Sequence, residues 1–107
     1  MEIREHLLDG KTVLYLSGSI SGIESIQLAR MLEDYRKNDC GRLVIDMKEV
    51  QFIDSTALGG FIYLSKMMEK AGICLELHTP PIHLQELFTD CSLESILYIT
   101  SGENIIT

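Results

Sequence analysis

The spacing of hydrophobic residues along the chain changes between the two-residue period of strands and the longer period of helices. Residues 3–8 and 11–17 are joined by Asp9-Gly10, a pair that accepts the positive φ of a two-residue turn, so these segments are predicted to form a β-hairpin. Three further strands are predicted: the continuous apolar run 43–45 at the centre of the sheet, the alternating segment 73–78 and the short run 96–99.

Three other segments have the apolar spacing of helices. In the first, Ser21 and Glu24 have the spacing of a capping box, and the helix is predicted to end before Gly41. The third is predicted from Pro80-Pro81 through residue 88. The second runs from residue 55 to about residue 71, and its apolar face is formed by Ala57, Leu58, Phe61, Leu64, Ser65 and Met68. The order β-β-α-β-α-β-α-β predicts an α/β sandwich with a mixed, partly parallel sheet.

The length and the net charge of the chain argue against several classes of protein function. The 107 residues, 46% hydrophobic and 23% charged, predict a single globular domain over residues 1–107. A net charge of −7 repels nucleic-acid phosphates and anionic lipid headgroups, so no nucleic-acid partner is expected. No apolar run approaches the roughly 18 residues of a spanning helix, and the first residues lack the layout of a signal peptide. We therefore expect a cytoplasmic protein without direct membrane insertion.

Residues that bind metals or carry catalysis are few and scattered. The three cysteines, Cys40, Cys74 and Cys91, have the spacing of neither a disulfide framework nor a zinc site, and we expect them to be reduced and buried in the core. The histidines lie on separate predicted elements, so His78 and His83 are expected in solvated or capping roles. These patterns predict a binding protein that is not an enzyme and has no metal or cofactor.

The start of the second predicted helix is the most informative segment. Asp54 is suited to the N-cap, because its carboxylate can accept the free amide protons of the first turn. Ser55 and Thr56 then occupy the first helical positions, at the positive end of the helix dipole. Helix capping alone is one interpretation of this tripeptide.

A partner-binding surface is the other interpretation. The eleven residues from Ser55 to Ser65 carry no charge. Ser55, Gly59 and Tyr63 are spaced four residues apart, so they form a strip on the side of the helix away from its apolar face. Two glycines early in a helix weaken it, which indicates close approach by another backbone, either of a partner or within this domain.

Residues 18–20, 43–46 and 52–59 resemble the STAS domain, a family named for sulfate transporters and anti-sigma factor antagonists. The resemblance covers nearly the whole chain and implies a STAS-like sandwich. In the family's stand-alone bacterial members, a partner kinase phosphorylates a serine in the pattern Asp-Ser-Ser/Thr-Gly-Leu-Gly. This sequence matches the pattern except that Ala57 stands where the family usually has glycine. The resemblance therefore implies phosphorylation of Ser55, with Thr56 as the alternative.

The resemblance also implies a function. It indicates an anti-sigma factor antagonist that binds an anti-sigma factor serine kinase when unphosphorylated and so regulates transcription. The alternatives are a cytosolic subunit of an ABC lipid transporter and a component of a larger sensory assembly. The partner-binding residues implied are Asp54, Ser55, Thr56, Gly59, Ile62 and Tyr63.

Two departures from the family affect the partner. Ser21 stands where many phosphorylatable relatives have an acidic residue. The tail 101–107 is too short for the closing helix found in many relatives, which would leave apolar surface for a partner or for a second copy of the chain in a homodimer.

Overall fold

Five strands form one mixed sheet, in a computed structural model that describes residues 1–8, 10–38, 41–93 and 95–101. The strands are β1 (Glu2–Leu8), β2 (Lys11–Ile20), β3 (Arg42–Ile53), β4 (Leu75–His78) and β5 (Tyr98–Thr100). Their order in the sheet follows the chain. β1 is antiparallel to β2, and the pairs from β2 to β5 are parallel. The run 43–45 lies in β3, which confirms its predicted position at the centre of the sheet.

The hairpin between β1 and β2 ends at Gly10, which has a φ of 72°. Such a value suits glycine at a hairpin turn. Asp9, the other predicted turn residue, lies outside the described residues. The backbone is also crowded here, because a Cβ on Gly41 would lie 2.6 Å from the carbonyl oxygen of Gly10. The amide of Arg42 donates to that same oxygen at 3.1 Å.

Helices connect the parallel strands and cover one face of the sheet. They are α1 (Ile23–Lys37), α2 (Ser55–Lys70) and α3 (Ile82–Asp90). Each contributes to a single core with the strands; the fully or nearly buried helical residues include Leu28, Leu32, Phe61, Leu64, Met68, Leu84 and Phe88. The predicted apolar face of α2 is confirmed, with Leu58 half-buried against the core and the other five residues buried. The predicted α/β fold is confirmed as well.

The opposite side of β4 carries polar residues, and here one prediction is wrong. His78 is buried, not solvated, because β4 lies between β3 and β5. Its Nδ1 lies 2.8 Å from the Thr100 hydroxyl, which donates to Glu76 at 2.6 Å. Burial raises the pKa of Glu76, but hydrogen bonds from Thr100 and Arg42 outweigh it and hold that pKa below its ordinary value.

The cysteines also differ from expectation. Cys74 and Cys91 are free thiols in the described part of the chain, and both are exposed instead of contributing to the core. Cys74 lies just before β4 and Cys91 directly follows α3, so both occupy connections, which run over protein surfaces. Cys40 lies outside the described residues.

Candidate functional site

Asp54 connects the central strand to α2. It follows Ile53, the last residue of β3, and is the extended N-cap of α2. Its Oδ1 accepts a hydrogen bond from the amide of Ala57 at 2.9 Å. This is the predicted capping role, and it satisfies one of the amide protons that a helix start leaves free.

The same carboxylate also holds the start of α1. Ser25 Oγ donates to Asp54 Oδ1 at 2.6 Å, and the amide of Gly22 donates to Oδ2 at 2.9 Å. The two helix starts meet because β2 and β3 are parallel and end side by side, with Ile20 paired to Ile53. Sequence reasoning missed Gly22 and Ser25, since they lie 32 and 29 residues from Asp54.

The predicted capping box is therefore wrong. Gly22, not Ser21, is the N-cap of α1, and α1 has no side-chain cap of its own. The Glu24 carboxylate forms an ion pair with the terminal amine of Met1 at 2.7 Å. Asp54, which follows β3, caps α1 instead, because its carboxylate accepts a hydrogen bond from the free Gly22 amide.

Hydrogen bonding also sets the charge state of Asp54. The bond from Ser25, followed by those from the Ala57 and Gly22 amides, lowers the pKa of Asp54 below its ordinary value. The carboxylate is thus ionised at neutral pH and already accepts several donors. This makes Asp54 a positioning group for two helices and a poor general base for the neighbouring Ser55.

The remaining predicted site residues lie along the first half of α2. Ser55, Thr56 and Gly59 are exposed, and 56% of the surface of Tyr63 is exposed. Ile62 is half-buried and packs against the core. A Cβ added to Gly59 would meet no atom of the described residues within 4 Å. The strip from Ser55 to Tyr63 is about 12 Å long and open to solvent.

α1 forms the other side of a groove beside this strip. Gly60 faces α1, and a Cβ there would lie 3.6 Å from Cβ of Ala29. The two glycines therefore differ: Gly60 lies against α1 in the wall of the groove, whereas Gly59 faces outward. The groove has a volume of about 390 Å³, and Ile26 and Tyr63 line it. Sequence reasoning missed the contribution of α1 to the groove. The signal that could have shown it is Ile26, an apolar residue outside the periodic apolar face of that helix.

Exposed apolar residues collect at this end of the sheet. Ile23 at the start of α1 and Ile82 at the start of α3 are 72% and 71% exposed, and Phe52 near the end of β3 is also exposed. His83 Nε2 lies 2.7 Å from the carbonyl oxygen of Gln51, which places the start of α3 beside β3. Ligands and partners of such sheets commonly bind at the carboxyl ends of the strands.

Comparison with protein families matches the STAS domain over residues 1–104. The chain belongs to the STAS domain family. A comparison with curated proteins gave no match. Among the residues that the structure describes, no helix is long and apolar enough to cross a membrane.

Solved structures share the fold of this STAS domain. A Thermotoga maritima protein provisionally named an anti-sigma factor antagonist has a TM-score of 0.83 at 17% identity, over 96% of this chain and 87% of its own. The phosphorylated form of the Bacillus cell fate determinant SpoIIAA has a TM-score of 0.78 at 12% identity, over 96% and 93%. A sulfate transporter family protein from Wolinella succinogenes has a TM-score of 0.69 at 17% identity, over 89% and 80%. The neighbours of this STAS domain therefore include both antagonists and a transporter family protein.

Proposed function

We propose that this STAS domain is a phosphorylation-controlled binding switch, an anti-sigma factor antagonist that binds an anti-sigma factor kinase when unmodified and so regulates transcription. The observation that carries the proposal is the exposed Ser55 at the first position of α2, at the head of an uncharged strip. Thr56, also exposed, is the alternative acceptor. The likeness in fold to SpoIIAA, which has a phosphorylated form, supports the proposal.

The unmodified surface suits a protein partner. Tyr63 and Ile26 supply exposed apolar area beside the strip, and residues 55 to 65 themselves carry no charge that binding would have to desolvate; the charges that line the groove, Arg30 and Glu33, come from α1. Gly59 leaves room for a partner to approach the helix backbone closely. A partner that covers this strip buries the Ser55 hydroxyl at or near the contact.

Phosphorylation changes the charge at that contact. The Ser55 hydroxyl oxygen attacks the γ-phosphorus of ATP, ADP leaves, and the hydroxyl proton passes to a base of the kinase. The phosphate adds about −1.5 to −2 charge and three acceptor oxygens next to Asp54. The free protein tolerates it, because the start of α2 offers amide protons and the positive end of the dipole.

Binding of the modified form is expected to fail. Burying the phosphate against a surface that fits a hydroxyl leaves a charge uncompensated, which costs several kcal/mol. A loss of that size weakens a complex by about two orders of magnitude or more. The modified protein therefore keeps its fold and releases its partner.

The test is affinity capture from the native cell with wild type, Ser55→Ala and Ser55→Asp. Thr89→Asp is the matched control, because it adds the same charge at an exposed hydroxyl on α3. We expect the first two proteins and the control to capture a kinase that phosphorylates Ser55 in the presence of ATP, and Ser55→Asp to lose it. Phosphate found on Thr56 alone would mean that Thr56, and not Ser55, is the residue that the kinase modifies. Capture of a transporter ATPase or a large sensory assembly, unaffected by Ser55→Asp, would contradict the switch.

A further inference from the structure

A separate cavity lies at the opposite end of α2 from Ser55. It has a volume of about 320 Å³ and is formed by the second half of α2, the connection to β4 and the segment before β5. Ser65 is ten residues from Ser55, or about 15 Å along the helix. Its lining includes Ser65, Glu69, Ile73, Cys74, Ile96 and Tyr98.

Ser65 is the unusual member of this wall. It is only 8% exposed, and its hydroxyl has no hydrogen-bond partner among the residues that the structure describes. A serine within a helix commonly donates to the carbonyl four residues earlier, but Ser65 does not. Buried polar groups almost always have a partner, so a buried hydroxyl without one in a cavity wall points to a ligand.

The other lining residues define the chemistry of that ligand. Ile73 and Ile96 are apolar, and the ring of Tyr98 adds an aromatic surface. Neighbouring residues partly desolvate the exposed Cys74 and raise the pKa of its thiol, which is uncharged at neutral pH. Among the described residues of this lining, Glu69 alone is charged, and it lies on the exposed side of α2. A carboxylate accepts hydrogen bonds and repels anions.

We propose that this cavity binds a small molecule with an apolar body and one hydrogen-bond donor, which is either neutral or cationic. The Ser65 Oγ atom is itself buried, and the ligand's donor pairs with it once rotation about the side-chain torsion turns the hydroxyl toward the cavity. The apolar body contacts Ile73, Ile96 and Tyr98, and Glu69 disfavours anions. The site is independent of Ser55, because it lies at the other end of the helix.

Four probes that share one ring test each part of this assignment. Benzyl alcohol carries a neutral donor, benzylamine a cationic donor, toluene no donor and benzoate an anion. Methyl NMR of Ile73 and Ile96 measures the affinities. We expect saturable shifts with benzyl alcohol and benzylamine, about fivefold weaker binding of toluene because one hydrogen bond is lost, and the weakest binding for benzoate.

Ser65→Ala isolates the contribution of the hydroxyl. It should weaken the binding of benzyl alcohol about fivefold, to the affinity of toluene, and leave the affinity for toluene unchanged. The variant should fold normally, because it removes an unpartnered hydroxyl and alanine favours helices. Ser19→Ala, which removes an exposed hydroxyl of β2 outside the cavity, is the control and should change neither affinity.

The two described cysteines provide a second readout. Benzyl alcohol should slow alkylation of Cys74, which lines the cavity, and leave Cys91, which does not, at its usual rate. The proposal is overturned if no probe gives saturable shifts at Ile73 and Ile96. Equal affinity of toluene and benzyl alcohol, or an unchanged benzyl alcohol affinity in Ser65→Ala, would overturn the assignment of the donor to Ser65.

Discussion

Gly59 and Gly60 are neighbours in the sequence but face different surroundings, and this difference allows a matched test of the site. A Cβ at position 59 meets nothing within 4 Å, whereas one at position 60 lies 3.6 Å from Cβ of Ala29 in α1. We therefore expect leucine to be tolerated at position 59 and to disturb the contact between α1 and α2 at position 60.

The magnitudes follow from helix propensity and packing. Each Gly→Leu substitution removes a helix-weakening glycine, which raises the free energy of unfolding by about 0.5–1 kcal/mol. At position 60 the additional atoms of leucine extend into a contact that a Cβ already fills, and such overpacking costs about 1–3 kcal/mol. The propensity gain is common to both variants and cancels in their difference. The free energy of unfolding of Gly59→Leu should therefore exceed that of Gly60→Leu by about 1–3 kcal/mol, which corresponds to roughly 4–13 °C in melting temperature.

Urea and thermal unfolding followed by circular dichroism measure this difference. Titration calorimetry with the partner captured on the wild-type protein gives the functional side of the test. Gly59→Leu should keep or raise its melting temperature and still lose the partner, because the leucine holds the partner away from the strip. Equal stabilities of the two variants would refute the assignment of Gly60 to the helix contact. Normal partner binding by Gly59→Leu would show that the partner docks elsewhere.

Three further predictions concern the carboxylates. Asp54→Asn should lower stability at neutral pH, and its deficit should shrink as the pH falls through the lowered folded-state pKa of Asp54, below the ordinary 3.8, because wild type then loses the same charge. Ser25→Ala should raise the pKa of Asp54 by removing its strongest donor, and a carboxyl-carbon NMR titration measures that shift. Arg42→Met should raise the pKa of Glu76 and move acid unfolding to higher pH; an unchanged acid midpoint would contradict the role of that ion pair.

Several features were predictable because their causes lie within a few residues. The turn at Gly10 needs a positive φ, and Asp54 stands one position before a run of helical spacing. The buried face of α2 follows from the helical period, which also leaves Ser55 and Tyr63 on the other side. Each of these rests on the local geometry of one turn or one helix.

Other features depend on which strands become neighbours. The two donors from the start of α1, Gly22 and Ser25, reach Asp54 because β2 and β3 end side by side, and no local spacing reports a contact over 29 or 32 residues. The same holds for the burial of His78 between two strands and for the contact of Gly60 with α1.

The cavity at Ser65 likewise depends on both the helical spacing and the tertiary structure. Sequence places Ser65 on the buried face of α2, and the structure agrees, but only the structure shows that the β4 connection and residues 96–98 form a cavity with it and that its hydroxyl lacks a hydrogen-bond partner among the described residues. The spacing of apolar residues determines which side of a helix is buried, because that spacing matches the repeat of the helical backbone. What that side meets is decided by elements distant in the chain, and tertiary structure alone brings them together.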